Sequence, residues 1–203
     1  DIAAGKAGTT TAVQMAVARV SPGLVALDDG RVLIWGGSVN GKADDMGEVL
    51  NPGSDKTLKL KISGDADLLK STTLTTAGPA VALLSQNTTQ AVLLVAGGMP
   101  FSSPLSASDA PTYLVVFNRA SGEAVIKPAT VAGKPVHGGL GTVLTRTPSG
   151  QVVMAGGLVA LSAQAPCAAT AAECLLSQVL LIDPPTDVSA ATVDLTAEVT
   201  LDL

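Results

Sequence analysis

Side chains able to do chemistry are few in this 203-residue chain, and they are scattered: one histidine, His137, one tyrosine, Tyr113, and two cysteines, Cys167 and Cys174. General acid–base catalysis needs a base within hydrogen-bond reach of its proton and a partner to orient it. His137 precedes Gly138-Gly139 with no cysteine or carboxylate beside it, so it reads as a hydrogen-bonded loop residue. Two cysteines without a neighbouring histidine cannot make a structural zinc site. Cys167 and Cys174 are expected to form one disulfide closing a small Ala-rich surface loop, which favours an oxidising compartment; two free thiols are the alternative. In the chain-entropy estimate such a ring contributes about 2 to 3 kcal/mol, enough to order a long insertion locally. The stretch from Ser162 to Glu173 that carries the first cysteine reads as a loop, with a short helix as the other option. Asp44 and Asp45 are adjacent carboxylates, whereas calcium loops alternate their oxygen ligands along the chain. No metal, no cofactor and no catalytic residue is therefore expected.

What is left is chemistry for binding. Asn40, Lys42, Asp44 and Asp45 share one polar loop, while Phe101 and Asp109 lie in another among serines and prolines, and both loops read as solvated. Phe101 between its prolines would, if exposed, offer rigid contact area at small entropy cost; packing against its own loop is the other reading. Arg19 occupies a connection comparable to that of His137, where a guanidinium can bind a neighbouring carbonyl or carboxylate. Trp35 sits inside an apolar run and is expected in the core.

Composition narrows the partners. The net charge of -5 and a pI near 4.7 give phosphate no attractive field, and the twelve basic residues form no cluster, so nucleic acid is an unfavoured ligand. Apolar residues make up 47 %, yet runs such as Ala91 to Gly98 are far shorter than the roughly 18 residues of a membrane helix, so no membrane span is expected. With four aromatic residues in all, the core must come from Ala, Val and Leu, which suit thin stacked sheets. The chain opens at Asp1 with neither Met nor a signal-like stretch, as a processed or trimmed mature chain would.

The elements that must position these residues repeat with a period near 60. Three segments share a turn, an apolar strand and a glycine doublet: Asp29 to Gly37, Gln90 to Gly98 and Gly150 to Gly157. Each is preceded by another apolar strand, Gly23 to Leu27, Ala80 to Leu84 and Gly141 to Leu144, and the short polar turn between them predicts a hairpin. Each doublet is followed, after a longer loop, by a strand with a polar exit: Glu48 to Pro52, Leu114 to Asn118 and Val179 to Pro184. A fourth stretch completes each unit at Thr57 to Ile62, Glu123 to Lys127 and Ala191 to Val199. Inner strands of such units, buried on both faces, read as continuous apolar runs such as Val92 to Ala96.

This pattern resembles the kelch repeat, in which a strand ending in Gly-Gly is followed by one ending in a Tyr-Asp-Pro-like turn. The Tyr before the turn and the Trp of the outer strand are missing here. The resemblance covers nearly the whole chain and implies an all-β fold: a kelch-type β-propeller segment of three four-stranded antiparallel blades, at 21–66, 67–132 and 133–203. Residues 1–20 would supply an outer strand, near Thr11 to Ala16, of a neighbouring or closing blade. Three blades fall short of the roughly four a ring needs, so the ring is incomplete in this chain. The remaining blades would lie beyond Leu203, in a second copy or in another chain.

In such a meander the loops after each Gly-Gly and the connections between blades leave from one end, and the short turns from the other. Long loops on a rigid frame are where binding usually resides. The expected function is a non-catalytic scaffold of the cell envelope or extracellular space, binding a protein partner or further blades, a homo-oligomer included. Two alternatives stand beside it. One is a fragment of a secreted copper-radical oxidase-like propeller, which needs tyrosine and histidine ligands together. The other is a carbohydrate-binding propeller, which needs exposed aromatic platforms.

Overall fold

The turn Asp28-Asp29-Gly30 folds the apolar runs on either side of it into a hairpin, with Gly30 in the left-handed region at φ 83°. This hairpin opens the first of three large sheets in the computed structural model, which describes residues 12–37, 45–70, 77–98, 110–139, 141–157 and 178–202. Strands β1 (Gly23–Ala26), β2 (Val32–Trp35), β3 (Gly47–Leu50) and β4 (Thr57–Lys59) pair antiparallel in sequential order. The chain then runs through β5 (Lys61–Gly64) and a short helix, α1 (Ala66–Lys70), into the middle sheet. Its strands are β6 (Ala80–Gln86) and β7 (Gln90–Ala96), then, past the two-residue β8 (Ala110–Pro111), β9 (Tyr113–Asn118) and β10 (Glu123–Val131). Two short strands follow: β11 (Lys134–Pro135) folds back on β10, and β12 (His137–Gly138) pairs with β8. The third sheet is β13 (Val143–Arg146), β14 (Val152–Ala155), β15 (Gln178–Ile182) and β17 (Ala197–Asp202), with β16 (Val193–Leu195) just before the last strand. The repeat read from the sequence thus appears as three successive four-stranded antiparallel meanders.

The sheets lie face to face on two apolar layers. Val25, Leu27, Leu33, Trp35 and Val49 of the first sheet region meet Ala91, Leu93, Val95, Tyr113, Val115 and Phe117 of the middle one. On its other face the middle sheet turns Ala82, Leu84, Val92, Leu94, Ala96 and Leu114 toward Val152, Met154, Leu180 and Ile182. Alternate residues of β7 therefore enter different layers, which is why its sequence is apolar without interruption. The first strands stand side by side, β6 lying between β1 and β13. Among the described residues no helix is long and apolar enough to cross a membrane.

The units differ from expectation at their fourth strands. The strand expected to reach Ile62 leaves the first sheet after Lys59: Leu60 is buried, and β5 crosses over to pair parallel with Glu123 to Ile126 of β10. From the other side β16, expected inside the third sheet's outer strand, pairs parallel with Ala129 to Val131 of the same β10. Lys127 Nζ donates to the carbonyls of Val188, Ser189 and Ala190, and Asp194 accepts from the Thr130 hydroxyl and the Gly133 amide, fixing this second strap. An open strand edge is a row of unpaired backbone donors and acceptors. Both neighbours thus close the outer edge of the middle sheet.

Two smaller differences follow from local chemistry. Helix α1 was not anticipated; the Asp65 carboxylate caps it by accepting from the Asp67 and Leu68 amides, and Leu68 and Leu69 pack on the first apolar layer. In place of the strand expected near Thr11 to Ala16, the described residues there form one parallel bridge, Gln14 to Lys56, beside β4 of the first sheet.

Candidate functional site

The glycine doublets stand at one end of the three meanders. All six glycines have positive φ, from 62° at Gly156 to 128° at Gly157. A Cβ on Gly37 would lie 2.5 Å from the Val20 carbonyl oxygen, and one on Gly97 would lie 2.3 Å from that of Gly139. At Gly37 and Gly97 the chain entering a sheet passes against the backbone, whereas a Cβ on Gly156 would meet nothing within 4 Å and its positive φ alone asks for glycine.

Arg19 lies in the first such entering segment, with its side chain fully buried. Its Nε donates to Glu48 Oε1 at 2.7 Å, and Nη1 and Nη2 donate to the carbonyls of Gly36, Met46 and Asp45 at 2.5, 3.1 and 2.7 Å. The expectation of a carbonyl or carboxylate partner is met by both at once. Glu48 is equally buried; its Oε2 accepts from the Ala16 amide at 2.9 Å and from the Thr57 hydroxyl. Asp45, read from sequence as a solvated loop carboxylate, is buried and paired with Lys59 Nζ at 2.5 Å. Arg19 and Lys59 face Glu48 and Asp45, and this cluster holds the Gly-Gly end of the first sheet. In the third sheet Thr142 does related work: its hydroxyl accepts from the Gly139 amide and donates to the Gly156 carbonyl.

A second cluster lies at the opposite end, on the short turns. Arg119, after β9, reaches across to the first sheet's hairpin, with Nη2 2.6 Å from Asp28 Oδ1 and Nη1 2.8 Å from Asp29 Oδ2, and it also donates to Gln86 Oε1. Arg31 returns the contact by donating to the Arg119 carbonyl at 2.9 Å, with its guanidinium 5.2 Å from the centroid of the Phe117 ring. The hydrogen bond from Arg31 holds the Asp29 carboxyl down at about 2, against the opposing effect of burial. This cluster clasps the first sheet to the middle one.

Between the clusters, Trp35 Nε1 donates to the Tyr113 hydroxyl at 2.9 Å inside the first apolar layer. Burial pushes the Tyr113 hydroxyl far up, so the phenol stays protonated. His137 has its backbone in β12, paired with Pro111, and its side chain lies outside the described residues, as do Asn40, Asp44, Phe101, Asp109, Cys167 and Cys174. Among the described residues no three His, Cys, Asp or Glu side chains converge as a metal site.

Glu48, Thr57, Asp28, Asp29, Gln86 and Arg119 were missed by sequence reasoning. Glu48 carried a signal: by strand register it takes the place held by Tyr113 in the middle sheet and Leu180 in the third, a charge where the repeat calls for an apolar residue. Fold and contacts together define an all-β chain of stacked antiparallel sheets, with a buried Arg19–Glu48 cluster at one end and a partly exposed arginine–aspartate cluster joining the first two sheets at the other. No family model matches the sequence, and no curated protein sequence matches it either.

Proposed function

We propose that this chain is a three-blade segment of a kelch-type β-propeller, acting as a non-catalytic scaffold that presents the long loops of its Gly-Gly end to a protein partner in the cell envelope or extracellular space. The observation that carries this reading is the equivalence of the three sheets. In each, the second strand ends in a left-handed Gly-Gly, and the first strands stand side by side while the faces stack. A radial array of blades has this arrangement. The non-catalytic part of the reading is supported by the chemistry: Arg19 and Glu48 pair with one another, Arg119 pairs with Asp28 and Asp29 and leaves only its buried Nε without a hydrogen-bond partner, and Tyr113 is buried against Trp35. Partner recognition then falls to the loops that leave the Gly-Gly end.

Affinity capture from an envelope fraction tests this. The full chain is compared with one whose segments 38–44, 99–109 and 158–177 are replaced by Gly/Ser linkers, and with one altered only in the short turns at Asn87 and Ser149. Loss of a saturable partner with the first variant and retention with the second is expected. Equal capture by all three folded proteins would overturn the loop-presenting scaffold.

A further inference from the structure

One device recurs, in one register, at the outer edge of all three units. Ile34, Glu48 and Lys59 stand side by side across the first sheet, Val95, Tyr113 and Pro128 across the middle one, and Met154, Leu180 and Val199 across the third. By these rows Lys56 is equivalent to Val125. Val125 takes Ser63 of β5 in parallel, and Lys56 takes Gln14 in parallel. The end of β10 lies on β16 in the same register, Thr130 against Asp194 as Lys61 against Glu123. Residues 12–20 are therefore the strap of the first sheet. A strand added to a sheet edge is also a common way for a protein to take a peptide.

The first strap is held differently from the other two. In the row position of Glu48 the middle and third sheets carry Tyr113 and Leu180, both packed in the apolar layers. Glu48 instead accepts from the Ala16 amide at 2.9 Å and from Arg19 Nε at 2.7 Å, and Arg19 goes on to the carbonyls of Gly36, Met46 and Asp45. Of the strap's apolar side chains only Val17 is buried; Val13, Met15 and Val20 are exposed. A joint with so little apolar area opens more readily than the sheet beneath it, and water takes back both charges when it does. The hinge is Ser21, at φ 48° and followed by Pro22, a strained conformation that opening relieves.

We infer that residues 12–20 are an exchangeable strap, and that the slot they fill binds an extended segment of a partner protein bearing an apolar residue two places before an arginine. The edge from Asp55 to Thr57 supplies the strand pairing, as it does for Gln14: the Gln14 amide donates to the Asp55 carbonyl and the Thr57 amide to that of Gln14. The Glu48 carboxylate and the carbonyls of Gly36, Asp45 and Met46 form a fork of acceptors matched to a guanidinium, which the compact ammonium of a lysine does not span. For its partner the slot rests on the scaffold reading above; for its geometry it needs the first sheet alone, so the two can fail separately.

A fluorescent peptide of residues 12–22 is titrated, by anisotropy, into three full chains: the parent, Arg19→Met and Glu48→Leu. Arg19→Met loosens the chain's own strap and leaves Glu48 to the peptide, so this variant is expected to bind it saturably and at least about tenfold more tightly than the parent does. It should prefer the peptide, by at least about tenfold again, over the same peptide with methionine in place of its arginine. Glu48→Leu should not distinguish the two peptides. Absence of binding to folded Arg19→Met, or equal binding of both peptides, overturns the slot. Should Arg19→Met fail to fold, amide exchange of the parent decides: the Thr57 amide is expected to exchange at least about tenfold faster than the amides of β7. Exchange as slow as that of β7 would show a strap that opens only with the whole fold, and would overturn the inference. Neither measurement bears on capture through the loops, which the linker-replaced chain tests by itself.

Discussion

The indole of Trp35 and the hydroxyl of Tyr113 share a 2.9 Å hydrogen bond inside the layer between the first and middle sheets. Each satisfies a polar atom that its sheet would otherwise bury alone. Tyr113→Phe leaves the indole N–H without its acceptor and is expected to cost about 1 to 3 kcal/mol, read as a lower urea midpoint. Because burial raises the folded-state value of this phenol above its ordinary 10.0, stability should be undiminished below about pH 10 and fall as pH rises beyond it, while the unfolded chain ionises first. As the chain's single tyrosine, Tyr113 should show phenolate absorbance only as the protein unfolds.

The pair Arg19 and Glu48 calls for a double-mutant cycle. Either Arg19→Met or Glu48→Leu alone leaves one buried charge unmatched and should destabilise by about 3 to 5 kcal/mol. The double variant should recover much of that loss, since an apolar residue then stands where the third sheet already has Leu180. Additive losses in urea titrations would show that the two residues do not act as a pair.

Acid should loosen the clasp between the first and middle sheets. Asp29 has its folded value depressed, from 3.8 to about 2, so its contribution is present above about pH 3.8 and disappears as pH falls toward about 2. Asp29→Asn should remove that part of the pH dependence, seen as a flatter curve of denaturation midpoint against pH across the same window.

Two glycines with similar backbone angles separate strain from crowding. Gly53, at φ 73° with nothing near its missing Cβ, should lose about 1 to 2 kcal/mol as alanine from the left-handed conformation alone. Gly97, at φ 68° and against the Gly139 carbonyl, should lose clearly more. Equal shifts in thermal midpoint would remove the close-approach explanation for the doublets.

Local signals in the sequence carried most of the fold. The hairpin turns, the uninterrupted apolar run of β7 and the register of the doublets are each written within a dozen residues, and the structure has all three sheets where they place them. Long-range pairing was not legible. Nothing in Lys61 to Gly64 or Val193 to Leu195 distinguishes a strand that stays in its sheet from one that crosses to β10, because the parallel partner lies more than sixty residues away. The polar clusters were hidden for the same reason: Arg19 gave its type but not its partner, and the partners of Arg119, Asp28 and Asp29, come to it only through the folded sheets. Of the loop residues, Asp45 was read as solvated because loops usually are; its burial follows from Lys59 and from its place beside Arg19.

The two parallel straps on β10 bear on how the chain folds. Repeats that touch only their neighbours' faces can melt one at a time, as nearest-neighbour arrays do. Here the edge of the central repeat is finished by backbone from both flanking ones, so its hydrogen bonding is whole only when all three are in place. Cooperativity is thereby wired through the main chain, and the three sheets should be lost together in a single transition.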